Sequence, residues 1–504
     1  MKTSYILMIV TIISKIFGLA REKALAQFFG TSIIADVFLV AFQIPMTFTN
    51  VISGATANGY IPIYNEILET SSEEEANKFT SNLSNIVLLL TFFLSLLGLI
   101  FSKNLVNLMA IGFTGEKLEL AVYMTRIALL SIAATTFFSI FKAYLQIKKK
   151  FIVSIAHAII MNIIIIAAMY IAKKTSVNYL AWGIFFAFVF QYIIFIPYIA
   201  KSSYKHKFIF DLKDENFRKL MKIILPVIIS TSVIELNFII SKSLSSELFS
   251  GAISSLNYAY KLQGFVTGIV VTSIVTAVYP EMAKSASEKD FSGLKEKIQD
   301  SIITMSFLVV PATIGLFILA EPIVKLLFVG GAFSKQDGVI TAEVLALYSF
   351  GIIGIGFREI ISRVFYTIMD AKTPVINSII IVLLNIGLSL ILIGKMGILG
   401  LALATSVSFI VGAILIIISA NRRIGSVFSK KSIKELLKIL IAALVMGVIA
   451  KVSFEYLNSL IDFKIAMLLA IGLSGLSYLI LLIVFKSSEI YNFTDKIKAR
   501  KNKN

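Results

Sequence analysis

Long stretches without any charged residue are the strongest constraint on how this chain folds. Nine such stretches occur: 37–65, 79–102, 151–172, 175–200, 262–280, 301–320, 373–394, 396–421 and 465–485. A helix of roughly 20 apolar residues crosses the hydrocarbon core of a bilayer, whereas a barrel strand needs only about 10. Backbone polar groups in lipid must also be satisfied within the spanning segment. The stretches therefore predict an all-α, polytopic membrane protein.

Five further apolar stretches carry isolated charges and bring the predicted number of spans to fourteen. They are 3–20, 122–145, 219–248, 344–369 and 434–456. Alternate loops, taken with both ends of the chain, hold 29 of the 47 Lys and Arg residues, and the opposite loops hold 10. Because cytoplasmic loops are enriched in Lys and Arg, both termini are predicted to be cytoplasmic. The net charge of +18 is thereby explained without nucleic-acid binding.

Composition and loop length exclude several kinds of chemistry. The chain has no cysteine, which excludes disulfides and thiol catalysis. Its two histidines, His157 and His206, are far apart in the sequence, so we expect no multi-histidine metal centre. The longest loops, near 200–220 and 321–340, are too short for a catalytic domain. We therefore expect a transporter without a cofactor rather than an enzyme.

The two halves of the chain resemble each other at an offset of about 220 residues. The matching pairs are 60–62 with 278–280, 144–162 with 366–385, and 180–182 with 401–403. A repeat of six spans keeps its orientation, so the copies are related by an axis along the membrane normal and can give alternating access. The predicted segments are an N-terminal lobe (1–215), a C-terminal lobe (216–425), spans 13 and 14 (426–490) and a basic tail (491–504).

Isolated basic residues within the predicted spans indicate the kind of substrate. They are Lys15, Arg21, Lys142, Lys261 and Arg363. A charge in the bilayer interior costs at least ~2.5–3.5 kcal/mol, so it usually faces water or a partner. Lys and Arg are suited to phosphate by charge and by hydrogen-bond geometry. A cavity lined by these residues predicts an anionic substrate, although Lys142 is also close enough to a loop to snorkel to the interface.

Acidic residues leave other roles open for some of these cations. Glu359 and Arg363 are four residues apart and can pair on one helix face. Asp36 can pair with Arg21 or Lys15. Either pairing would remove positive charge from the predicted cavity.

Three groups of residues resemble one known family. They are Ser14 to Glu22 with Ala26, Phe29 and Gly30; Ala35 to Phe38 with Ala41, Phe42 and Pro45; and Tyr348, Ser349, Arg358, Glu359, Phe365, Tyr366, Asp370 and Lys372 to Pro374. This pattern resembles the MurJ (MviN-type) lipid II flippases over essentially the whole chain. The wider superfamily also contains drug exporters and O-antigen flippases.

The resemblance implies both an architecture and an activity. It implies a V-shaped pair of lobes with a cationic cavity, and a groove along spans 13 and 14 for a polyprenyl tail. The implied substrate is lipid II, an undecaprenyl-pyrophosphate disaccharide-pentapeptide flipped across the bacterial cytoplasmic membrane. Lys15, Arg21, Asp36 and Lys261 match the family's cavity positions, with Lys261 where arginine is usual. With Arg363, they form the predicted substrate-binding set.

The sequence departs from the family at two places. In the second span, Thr49-Asn50 and Gly54-Ala55 replace a basic residue and a Glu-Gly pair. The cation site of some relatives falls on Ser241, Asn385, Ser389, Leu401 and Thr405, and the two serines stand where carboxylates are expected. Sodium coupling is therefore not favoured, and a monovalent cation or the membrane potential stays open as the driving force.

Partners and rival functions follow from the same resemblance. Membrane lipid and the cell-wall synthesis or division machinery are the expected partners, and a monomer is expected. The main alternative is a flippase for another polyprenyl-linked saccharide, of the O-antigen, teichoic or sporulation type. A cation-coupled drug antiporter would favour twelve spans and an acidic, aromatic-lined cavity.

Overall fold

The protein is helical throughout the part of the chain that the structure describes. The computed structural model describes residues 2–288 and 290–490, so the predicted basic tail 491–504 lies outside the described residues. Within that range there is one isolated antiparallel bridge, Gly330 to Phe333, and no strand. The all-α prediction is confirmed.

The first compact unit comprises residues 2–254 together with Gly330–Phe333. Its helices are α1 (Lys2–Phe29), α2 (Ile33–Thr70), α3 (Glu73–Ile100), α4 (Ser102–Met109), α5 (Gly115–Leu129), α6 (Ile132–Ile147), α7 (Phe151–Lys174), α8 (Asn178–Phe190), α9 (Ile196–Ala200) and α10 (Glu215–Ser245). The predicted span 122–145 corresponds to α5 and α6, which are bent by 44° at their junction. A 3₁₀ turn, Ile193–Phe195, joins α8 to α9.

The second compact unit comprises residues 255–329 and the chain from Ser334 onwards. Its helices are α11 (Ala252–Ser287, whose first turn lies in the first unit), α12 (Phe291–Ile318), α13 (Ala320–Leu327), α14 (Lys335–Thr367), α15 (Lys372–Met396), α16 (Ile398–Ile424), α17 (Lys430–Leu460) and α18 (Phe463–Val484). The last two pack on α12, where the Tyr478 hydroxyl donates to the Phe307 carbonyl at 2.8 Å. Ile439 of α17 lies in the same buried cluster.

The boundary between the two compact units lies later in the chain than the boundary that the sequence repeat predicts. The repeat predicts a boundary at 215/216, but α10 packs against α2 in the first unit. A Cβ at Gly59 would lie 2.4 Å from the Ile224 side chain, so this glycine permits the close approach of the two helices. The ion pair between Lys219 and Glu66, 2.5 Å from Nζ to Oε2, joins them further along. The 215/216 boundary stays a prediction about the repeat.

Length and composition make this a multi-pass membrane protein. Eleven helices among the described residues can cross a bilayer, or twelve if the bent pair α5–α6 is one span. The other two predicted spans, 3–20 and 219–248, fall within α1 and α10, which are 28 and 31 residues long. The count of fourteen stays a prediction. Large apolar side chains are exposed along α17 and α18, including Val448 and Leu468, as expected of helices that face lipid.

Candidate functional site

Two of the lysines that lie within the predicted spans of the first unit have no charged partner among the residues that the structure describes. Lys15 of α1 and Lys142 of α6 are both half-buried. Neither makes a hydrogen bond or ion pair with any residue in the described part of the chain. An unpaired cation at membrane depth is costly unless water or an anionic ligand reaches it. Both ammonium groups are thus suited to an anionic headgroup, and the predicted binding set omits Lys142.

Arg21, by contrast, already has a partner. Its side chain is buried, and Nη2 lies 2.5 Å from Oε1 of Glu22, which is also buried. The guanidinium carbon stands 4.6 Å from the centre of the Phe42 ring, within the range of a cation–π interaction. A phosphate that bound Arg21 would have to compete with the Glu22 carboxylate.

Asp36 joins the start of α2 to the start of α11. Its fully buried carboxylate accepts hydrogen bonds from the backbone N–H groups of Gly251 (2.8 Å) and Ser254 (2.9 Å). These donors lie at the N-terminal end of α11, where helix N–H groups lack intrahelical partners and favour an anion. Lys117 Nζ lies 3.4 Å from Oδ2, so Asp36 pairs with α5 and not with either cation of α1. Its contact with substrate stays a prediction that requires this cluster to open.

The second unit contains the other two predicted binding residues. Lys261 is half-buried in α11. Arg363 Nη2 lies 3.7 Å from Oε2 of Glu359, which confirms that these two residues pair on α14. Arg358 Nη1 lies 3.2 Å from the other oxygen of Glu359 and was not among the predicted binding residues. One carboxylate therefore serves two guanidinium groups, and this cluster keeps a net positive charge.

Four of the five residues of the predicted cation site come together in the second unit. Asn385 Oδ1 lies 3.4 Å from the hydroxyl oxygens of both Ser389 and Thr405, and the Thr405 hydroxyl lies 2.9 Å from the Leu401 carbonyl oxygen. Ser241 is on α10 in the first unit. All of these oxygens are neutral, so they would not compensate the charge of a buried cation. The described residues also contain no group of three or more acidic, His or Cys side chains that could hold a metal.

A polar seam joins α2 to α10 near the middle of both helices. The buried Glu235 accepts hydrogen bonds from Thr47 Oγ1 (2.8 Å), Asn50 Nδ2 (3.0 Å) and Gln43 Nε2 (3.3 Å). Lys242 Nζ in turn donates to Gln43 Oε1 at 3.0 Å. Asn50 thus donates to a carboxylate at a place where the family often has a basic residue. The spacing of the three α2 residues, four and then three, is a helical period that indicates such a face.

An apolar cavity in the first unit does not suit a charged headgroup. It measures about 450 Å³ and lies among α2, α3, α6 and α10. Its lining is mainly apolar, with side chains such as Phe48, Ile86 and Met221. A pyrophosphate would find few hydrogen-bond donors there.

Comparison with known proteins places the chain in a family. The family model described as lipid II flippase MurJ matches residues 25–471. The probable lipid II flippase MurJ of Rickettsia prowazekii is 30% identical over 416 residues, 81% of each chain. A solved structure of lipid II flippase MurJ in an inward closed conformation has a TM-score of 0.83 at 29% identity, and the match covers 95% of this chain and 98% of that one.

A more distant likeness concerns the fold alone. An inward-facing multidrug resistance transporter of the MATE family has a TM-score of 0.72 at 14% identity, with 83% of this chain and 98% of that chain covered. At this identity the match indicates a shared fold and no shared substrate. The match of the family model over most of the chain is decisive: this protein belongs to the MurJ lipid II flippase family.

Proposed function

We propose that this chain moves lipid II from the inner to the outer leaflet of the bacterial cytoplasmic membrane. The observation that carries the proposal is the match to the MurJ family, whose model covers residues 25–471. The near-complete coverage of a solved MurJ structure supports the same activity. The chain acts as a transporter, with no covalent step on its substrate.

Alternating access is the proposed mechanism, and the basic residues have distinct parts in it. The pyrophosphate first contacts the unpaired ammonium group of Lys15, where no existing ion pair has to break. Arg21 binds next, when phosphate oxygens replace the Glu22 carboxylate as its partner. The polyprenyl tail stays in lipid along α17 and α18, whose exposed faces are apolar. Binding energy at these cations offsets the cost of desolvating the headgroup.

The membrane potential is the proposed driving force. Moving one charge through 100 mV changes its energy by about 2.3 kcal/mol. The cytoplasmic face is the negative one, so the electrostatic energy of an anionic headgroup falls as it moves outward. The electrostatic energy of the cationic empty transporter falls as its binding site returns to the cytoplasmic face. The neutral oxygens around Asn385 offer no comparable coupling to a bound cation.

Depletion and rescue test the proposal directly. The gene is expressed in a bacterium whose own lipid II flippase can be depleted, and lipid II at the outer face is labelled with a membrane-impermeant reagent. We expect growth and outer-face labelling to be restored. If the protein is present in the membrane and neither returns, the proposal is overturned. Failure in this host, together with rescue of a strain depleted of its flippase for another polyprenyl-linked saccharide, would establish the main alternative.

A further inference from the structure

The connection between α9 and α10 follows α3 closely. Asn85 Nδ2 donates to the backbone carbonyls of both Lys207 (2.9 Å) and Ile209 (3.1 Å). The Lys207 N–H donates to the hydroxyl of Ser81 at 3.2 Å. The Ile209 N–H also donates to the Lys207 carbonyl at 3.0 Å, which makes a tight turn centred on Phe208. The turn therefore lies beside Asn85.

The chain on either side of this turn is bonded to α3 nearer the start of that helix. Asn82 exchanges two hydrogen bonds with the backbone of Asp211, through Nδ2 (2.8 Å) and Oδ1 (2.7 Å). Asn77 Nδ2 donates to the Ser203 carbonyl at 3.4 Å. Segment 203–212 thus runs along α3 from Asn77 to Asn85 and then turns back, with Phe208 furthest along.

The position of Asn85 along α3 sets the depth of this turn. α3 has 28 residues and ends at Ile100, so at 1.5 Å per residue it is longer than the ~30 Å hydrocarbon core. Its large exposed apolar side chains run from Leu88 to Ile100. About 20 residues counted back from Ile100 reach residue 81. The turn beside Asn85 is four residues, or about 6 Å, further along α3 and therefore lies just inside this edge of the hydrocarbon.

Backbone groups at this depth need protein partners because little water reaches them. The side chains of Asn77, Asn82 and Asn85 supply those partners to the carbonyls of the segment. A loop in bulk water would have no such need.

The outward face of the segment is apolar with a basic rim. Phe208, Phe210 and Leu212 alternate along the extended chain and are 88%, 58% and 64% exposed. Lys205 and Lys213 flank them, are exposed, and form no ion pair with any residue that the structure describes. Apolar side chains beside free lysines are typical of segments that lie in a membrane interface.

We propose that segment 203–212 is an interfacial anchor for the leaflet at which α3 begins. Phe208, Phe210 and Leu212 insert among the lipid chains, while Lys205 and Lys213 contact the phosphates of anionic lipids. The leaflet is the cytoplasmic one in the proposed topology, although insertion itself does not depend on transport activity. Because α10 begins at Glu215, the anchor holds that end of α10 at a fixed depth beside α2.

A single introduced tryptophan tests the insertion. The chain has one Trp, Trp182, so Phe208→Trp is made in a Trp182→Phe background. The purified full chain is placed in phosphatidylglycerol–phosphatidylcholine vesicles. Fluorescence is quenched either by lipids brominated high on the chain or by aqueous acrylamide. We expect loss of most of the emission with the brominated lipids and little loss with acrylamide. Phe210→Trp is expected to behave in the same way.

Two matched proteins calibrate this measurement. Glu69→Trp, in the same background, places the probe at the exposed end of α2 and reports full access to water. The unmodified chain reports Trp182, which is exposed on the membrane-spanning α8. If Phe208→Trp and Phe210→Trp are quenched by acrylamide like the Glu69→Trp variant, the segment is a water-exposed surface for another protein and the proposal fails. Equal lipid quenching in vesicles without phosphatidylglycerol would remove the role given to the lysines.

Discussion

Replacing Asp36 with alanine is the most informative test of how this fold is held together. The substitution removes the acceptor for two N–H groups at the start of α11 and leaves Lys117 without its carboxylate partner. The carboxylate is fully buried, and the Lys117 side chain is only 14% exposed. Without a local rearrangement, water therefore cannot replace the carboxylate as hydrogen-bond partner of the Gly251 and Ser254 N–H groups or of the Lys117 ammonium group.

The structure sets the size of the expected effect. Removing one partner of a buried charge pair costs about 3–5 kcal/mol, because the other charge stays buried. Losing a helix cap alone costs about 0.5–2 kcal/mol. We expect Asp36→Ala to lower the free energy of unfolding by about 3–5 kcal/mol, since the two effects overlap at one carboxylate. Adding Lys117→Met should recover about 0.5–3 kcal/mol of this loss.

Unfolding is followed by circular dichroism during SDS titration in mixed micelles. Asp462→Ala is the control, because Asp462 caps α18 with a 2.9 Å bond from the Lys464 N–H but is exposed and has no ion pair among the described residues. That variant should lose only about 0.5–2 kcal/mol. Equal losses for Asp36→Ala and Asp462→Ala, with no recovery in the double variant, would refute the stabilising role given to the buried contacts of Asp36 with Lys117 and the start of α11.

Three other outcomes follow from the structure. Gly30→Ala should destabilise the protein by more than about 1 kcal/mol, because Gly30 has φ +61° and a Cβ would lie 2.3 Å from the Ala332 carbonyl oxygen. Gly472 has open space around it, so Gly472→Ala should be neutral or stabilising in the same SDS titration. Lys15→Gln should slow lipid II flipping by about tenfold, which is equivalent to about 1.4 kcal/mol. Lys395 is exposed, so Lys395→Gln should leave the flipping rate unchanged. Both rates are measured by outer-face labelling of lipid II at matched expression. Replacing sodium with potassium should leave the rate unchanged, and collapsing the membrane potential should lower it; strict sodium dependence would exclude the driving force proposed here.

The spans were predictable because each is encoded locally. An uncharged stretch such as 37–65 needs no distant residue to be helical in lipid, and it lies within α2, Ile33–Thr70. The bend between α5 and α6 has no comparable signal, since neither glycine nor proline occurs between Gly115 and Ile147. The short helices α4 and α13, of 8 residues each, are likewise too short for a span-length pattern to reveal.

Pairing between charges was less predictable because it depends on tertiary contacts. Glu359 and Arg363 could be paired from sequence, since one helical turn brings them together. Asp36 and Lys117 are 81 positions apart, and no local pattern marks Lys117 as the partner. The charged residues within the spans can therefore be identified from the sequence, whereas their partners can be predicted only when the two residues are close together on one helix.

The pairing state of each cation also predicts the order in which the basic residues bind substrate. An anion that binds Arg21 must displace the Glu22 carboxylate at 2.5 Å, and breaking a buried pair costs several kcal/mol. Lys15 makes no hydrogen bond or ion pair with the described residues, so contact with it carries no such cost. The first contact with a pyrophosphate should therefore be made by Lys15. Arg21 should exchange partners only when the headgroup is close enough to replace Glu22, so that loading of the substrate is coupled to a local rearrangement of α1.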